Sequence, residues 1–123
     1  MKMINKELIE LQKGSSATCV VIQNEDCEEL DSKIIVNSNC SDSELLNTIK
    51  EINSNKEVLN YFVISEIDKL NDKAQDKFYQ IVKDREFNGH KLPKNMIIVL
   101  TVKDKEGLKK IIQELYHFCV VAL

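Results

Sequence analysis

The chain has 123 residues, 43% hydrophobic and 30% charged, with 3 Gly and 1 Pro. That is one domain's length with apolar material for one core, and it excludes a disordered or low-complexity chain. The 20 acidic and 17 basic residues are interspersed and leave a formal net charge of −3, which excludes a broadly basic nucleic-acid surface.

Residues 3–12 place Ile4, Leu8 and Leu11 at helical spacing, and Lys13-Gly14-Ser15-Ser16 stops that helix. Residues 17–23 (ATCVVIQ) form a β-branched run and the first expected strand. A polar, acidic link over 24–32 follows, with one helical turn expected at 27–30, and 33–37 (KIIVN) is the second strand. Ser41 with Glu44 three residues on is a capping box, opening a helix to about residue 53 with Leu45, Ile49 and Ile52 on one face. Residues 58–65 are continuous in apolar character, as expected for a strand covered on both faces. Asn71 caps a helix expected over 72–85, burying Ala74, Phe78, Ile81 and Val82. Asn88-Gly89 is a turn, and 95–102 is the fourth strand. A helix over 106–116, carrying Leu108, Ile111, Ile112 and Leu115, leads to a fifth strand over 117–123. Strands alternating with helices predict an α/β fold, a mostly parallel five-stranded sheet with helices on both faces, in a single domain over 1–123.

Cys19, Cys27, Cys40 and Cys119 form no CxxC pair, and His90 and His117 have no partners at ligand spacing. Reduced, mostly buried thiols are expected, with no metal and no cofactor. No apolar segment reaches signal-peptide or membrane-spanning length, so the cytoplasm is the expected compartment, with no membrane contact.

Residues 61–70 read YFVISEIDKL, an apolar strand that runs into an acidic residue and a helix start. This stretch and two others resemble the core of AAA+ ATPases. Residues 63–84 (VISEIDKLNDKAQDKFYQIVKD) are similar to the acidic strand and following helix of clamp-loader subunits, especially the delta-prime type of DNA polymerase III. Residues 92–101 (LPKNMIIVLT) resemble the sensor 1 strand of MoxR-like and RuvB-like members. Residues 115–123 (LYHFCVVAL) look like the strand that closes that core. The likeness covers 58–123 well and the first half poorly. It implies a P-loop NTPase fold with sheet order 5-1-4-3-2, counted along the chain.

The departures from that family bear on function. A phosphate loop needs glycine-rich backbone N–H groups and a lysine to reach the phosphates. After the first strand this chain reads Gln23-Asn24-Glu25-Asp26-Cys27-Glu28-Glu29, with no glycine, no lysine and four carboxylates. Only nine residues, 24–32, separate the first two strands, too few for a loop and a full helix. Ser65 stands where the family holds its metal-binding carboxylate, and Glu66 where it holds the water-activating glutamate. The sensor asparagine would fall near Lys103, and His117 replaces an arginine. The chain ends where the family's helical lid begins.

These readings imply a non-catalytic, pseudo-ATPase-like interaction module, with Ser65 and Glu66 as degenerate positions. The expected partner is a protein, such as an AAA+ ATPase of DNA replication or recombination, or a second copy. A nine-residue crossing without its helix would leave one sheet face for Ile4, Leu8 and Leu11 to cover, any remainder serving self-association or a partner. Alternative readings are a receiver-like phosphoacceptor domain using Asp68 and Thr101, and a fragment of an ATPase whose phosphate loop is supplied elsewhere. Asp68-Lys69 is read as a loop charge pair. Lys103, Lys105, Lys109 and Lys110 alternate with Asp104 and Glu106 and are read as a solvated helix start rather than a DNA contact.

Overall fold

Short β-branched runs become the strands of one parallel sheet. The computed structural model describes residues 19–54 and 59–122. Its strands are β1 (Cys19–Gln23), β2 (Lys33–Asn37), β3 (Tyr61–Ser65), β4 (Glu86–Phe87), β5 (His90–Lys91), β6 (Ile97–Val102) and β7 (Cys119–Val121). Five of them form a sheet in the order β2-β3-β6-β1-β7, every neighbouring pair parallel. The labels differ from the expected 5-1-4-3-2 because β4 and β5 form a separate antiparallel hairpin that enters the count. With the hairpin left out, the sheet read from β7 runs 5-1-4-3-2. The turn expected at Asn88-Gly89 joins the two strands of this hairpin. Asn88 (φ 48°) and Gly89 (φ 83°) both take positive φ, the geometry of a two-residue hairpin loop of type I′.

The strand period of two sorts the core into two faces. Phe62, Ile64, Ile98 and Leu100 join Leu45, Ile49, Phe78, Ile81 and Leu115 in one cluster. Tyr61, Val63, Ile97 and Val99 join Val20 and Ile22 on the other face, met by Cys27 and Leu30 of the β1–β2 link. The α-helices are α1 (Asp42–Ser54), α2 (Asp72–Gln75), α3 (Tyr79–Asp84), α4 (Lys105–Leu108) and α5 (Gln113–Tyr116). Their buried apolar residues lie in the first cluster, so the second face carries, among the described residues, only the 3-10 helix of the link. The helix expected over 3–12 lies outside the described residues.

The β1–β2 link shows how the chain manages with so few residues. It must pass β6 and β3, three inter-strand spacings or roughly 14 Å. A six-residue 3-10 helix, Asn24–Glu29, opens it. Such a helix advances roughly 12 Å, and three extended residues add about 10 Å, so the span is reached without an α-helix. Lys33 Nζ closes the helix's carboxyl end by donating to the carbonyls of Leu30 (3.0 Å) and Glu28 (3.4 Å).

Helix α1 begins as its sequence implies. The Ser41 hydroxyl accepts the Glu44 N–H at 3.2 Å, and the Glu44 carboxylate accepts the Ser41 hydroxyl proton at 3.2 Å. The two later helices are corrected. The helix expected over 72–85 is interrupted by a 3-10 turn at Asp76–Phe78 and closed by Arg85 in the left-handed conformation (φ 59°). Its buried residues are Gln75, Phe78, Ile81 and Val82, while Ala74 is only half-buried. The helix expected over 106–116 is split into α4 and α5. The Gln75 side chain, fully buried, fills that break. Its oxygen accepts the Ile112 N–H at 2.9 Å, and its nitrogen donates to the carbonyls of Lys110 (2.7 Å) and Leu70 (3.1 Å). Three backbone groups that an unbroken ladder or water would satisfy are thus satisfied by one side chain.

Candidate functional site at the carboxyl edge of the sheet

In parallel α/β sheets, sites form where strands end and loops begin, so the ends of β1, β3 and β6 are the positions to inspect. At the end of β1 the chain enters the 3-10 helix directly. Glu25 and Asp26 sit in its first turn, and Asp26 is buried. The Asn24 side-chain oxygen is buried without a hydrogen-bond partner. A short turn bearing Glu25, Asp26, Glu28 and Glu29 offers repulsion to a phosphate, not a cradle of N–H groups.

At the end of β3, Ser65 uses its hydroxyl to donate weakly to the Val36 carbonyl at 3.4 Å. Glu66 then takes a left-handed backbone conformation (φ 59°, ψ 44°), which costs a non-glycine residue about 1 kcal/mol. Two neighbours hold it there. Its N–H donates to the Thr101 hydroxyl at 2.8 Å, and its carbonyl accepts the Ser38 hydroxyl at 3.0 Å. The carboxylate turns to Lys69 Nζ at 2.9 Å, an ion pair near the surface. Lys69 is correspondingly pushed above the ordinary lysine value, through its hydrogen bond and its attraction to Glu66.

Lys69 makes its direct ion pair with Glu66, and Asp68 contributes only a weaker attraction, so the expected Asp68-Lys69 charge pair is a secondary one. Asp68 Oδ2 accepts the Lys103 N–H at 3.1 Å, tying the β3 loop to the end of β6, and its Oδ1 is buried without a hydrogen-bond partner. It packs against α4 so closely that a Cβ on Gly107 would lie 2.6 Å from Asp68 Oδ2. Asp104 caps α4, its Oδ1 accepting the Gly107 N–H at 3.1 Å.

The structure therefore brings Ser65, Glu66, Asp68, Thr101 and Lys103 together through backbone-directed bonds. It leaves the side chains of Lys103, Lys105, Lys109 and Lys110 exposed, with Lys109 beside Glu106 at 3.4 Å. His117 is exposed and sits edge-on to Phe118, with ring centres 5.2 Å apart. Ser38 and Thr101, the two hydroxyls that fix Glu66, are a linkage that strand periodicity does not reveal. Thr101 is the one polar residue inside the buried run of β6, whereas Ser38 follows β2, where only Val36 is buried, and nothing in its local sequence marks it; both are almost fully buried, Ser38 at 4% and Thr101 at 1% exposure.

The receiver-like alternative meets two obstacles. Such domains order their strands 2-1-3-4-5, whereas here β1 lies between β6 and β7. The Thr101 hydroxyl is also engaged by the Glu66 N–H rather than turned toward Asp68. Among the described residues, no group of three His, Cys, Asp or Glu is placed to hold a metal ion. Nor is any helix among them long and apolar enough to cross a membrane.

An open cavity of about 380 Å³ is lined by Asp72, Lys73, Asp76, Ile112, Gln113 and Glu114. It shares no residue with the strand-end positions, and three of its six side chains are carboxylates. No protein-family model matches the chain, and no curated protein matches its sequence.

Proposed function

We propose that this chain is a non-catalytic, AAA+-like domain that acts in the cytoplasm as a protein-interaction module. The observation that carries this reading is the end of β1. A parallel sheet of this order ordinarily places its phosphate loop there, and this chain places a 3-10 turn with four carboxylates. The end of β3 supports the same reading. Ser65 bonds the backbone, and Glu66 bends toward Lys69 instead of standing free beside a metal. Without nucleotide chemistry, a domain of this kind acts through its surface, positioning a protein partner such as an AAA+ ATPase of replication or recombination, or a second copy of itself.

Isothermal titration with millimolar Mg²⁺-ATP tests the core of the proposal, and no heat of binding is expected. Saturable binding with a Kd below about 100 μM, roughly −5.5 kcal/mol, overturns it. Cross-linking in cell extract followed by mass spectrometry tests the partner. An AAA+ ATPase at the cross-linked site supports the reading, and a sensor kinase there restores the receiver alternative.

A further inference from the structure

Cys19 opens β1 and Cys119 opens β7, and the two are direct partners in the parallel ladder. Adjacent strands lie about 4.8 Å apart, inside the roughly 4.4–6.8 Å between Cα atoms that a disulfide spans. Both side chains point to the same face. Cys19 belongs to the helix-covered core cluster, and Cys119 packs against it. Their sulfurs stand 2.7 Å apart. A formed disulfide measures about 2.05 Å, so bond formation requires movement of less than an ångström. The Cys119 thiol also donates to the Leu115 carbonyl at 3.1 Å, which holds its sulfur at this position. Cys27 and Cys40 have no such neighbour: Cys27 lies in the other core cluster, and Cys40 follows β2 at the far side of the sheet.

We propose that Cys19 and Cys119 form a reversible dithiol–disulfide site, oxidised by a peroxide, that staples β7 to β1. Cys19 is fully buried and Cys119 only half-buried, so the peroxide meets Cys119 first. The Cys119 sulfur attacks one peroxide oxygen, the O–O bond breaks, and water leaves to give a sulfenic acid. The Cys19 sulfur then attacks the Cys119 sulfur, the S–O bond breaks, and a second water carries off the remaining proton. Two thiols lose two electrons and two protons, and one peroxide becomes two waters. The step needs no loop rearrangement, because the backbone already sets the register. Its effect is local: β7 is a three-residue edge strand, and the bond fixes its first residue to the interior strand β1.

The test uses the whole chain, reduced, desalted and treated with stoichiometric hydrogen peroxide. Thiol titration in denaturant should fall from the four thiols of the reduced chain to two. Digestion with trypsin and a glutamate-specific protease should then release one linked pair, residues 14–25 joined to 115–123. Dithiothreitol should restore all four thiols, and Cys27→Ala should leave the linked pair unchanged. The oxidised parent chain should resist denaturant better than the reduced one, and Cys119→Ser should abolish both the link and that difference. Four thiols persisting after treatment, or a bond through Cys27, Cys40 or a second chain, overturns the proposal.

Discussion

The Gln75 oxygen accepts the Ile112 N–H at 2.9 Å, joining the end of α2 to the start of α5 across the gap where the backbone ladder is broken. One amide thereby decides that residues 105–116 form two short helices instead of one. Replacing it exposes the consequence. Gln75→Leu keeps the volume but leaves the Leu70 and Lys110 carbonyls and the Ile112 N–H without their partner. Each buried group left unmet costs about 1–3 kcal/mol, so a loss of roughly 3 kcal/mol in urea unfolding is expected. A loss below about 1 kcal/mol would show that water replaces the amide freely.

Much of the sheet is legible in the sequence. Residues 33–37 become β2 without adjustment, and Leu45, Ile49 and Ile52 are the buried face of α1. The helix over 106–116 misleads for a definable reason. Ile111, Ile112 and Leu115 are all buried, as their spacing implies. Periodicity reports which side chains face the core, and it is silent on whether the backbone between them bonds to itself or to Gln75. The left-handed Glu66 is equally hidden, because Ser38 and Thr101 come from distant stretches of chain.

Ile98 is fully buried in β6, the middle strand of the five, paired in register with Cys19 on one side and Phe62 on the other. Ile98→Ala should cost about 2–5 kcal/mol, the range for a large-to-small change in a packed core. Chemical denaturation reads this directly, and a loss under about 1 kcal/mol would contradict its central place.

Gly107 and Asp68 should show coupling. A Cβ on Gly107 meets Asp68 Oδ2 at 2.6 Å and the Val102 Cβ at 3.1 Å. Gly107→Ala alone should destabilise by about 1–3 kcal/mol, as overpacking does. In an Asp68→Ala background the same change should cost clearly less, because the nearer clash is gone. Additive effects in the double-mutant cycle would mean that the two residues do not press on each other.

Stability should fall at alkaline pH. Burial raises the Tyr61 hydroxyl, and nearby Asp31 adds to this, pushing it up to about 12. The unfolded group titrates near 10, so the stabilisation is complete below pH ~10 and is lost as pH rises toward ~12. Cys19 acts in the same sense from lower pH. Its hydrogen bond with Cys119, and then its burial, raise it above the ordinary thiol value, so its contribution begins to fall above pH ~8.5. Denaturant midpoints measured from pH 8 to 11 should decline throughout, and Tyr61→Phe should flatten the part above pH 10. A flat profile in the parent chain would contradict both shifts.

The position of β1 between β6 and β7 also dictates the order of assembly. β1 pairs with no strand close to it in sequence: its ladder partners are β6 and β7, and Cys19 and Cys119 are separated by 100 residues. During synthesis the apolar CVVIQ segment precedes both of its ladder partners and finds neither until the intervening strands and helices have left the ribosome. Closing so wide a loop delays the reward for pairing, so folding should be slow for a chain of this size. Until β6 arrives, β1 is an unpaired hydrophobic strand, the kind of segment that chaperones bind and that aggregates when they do not.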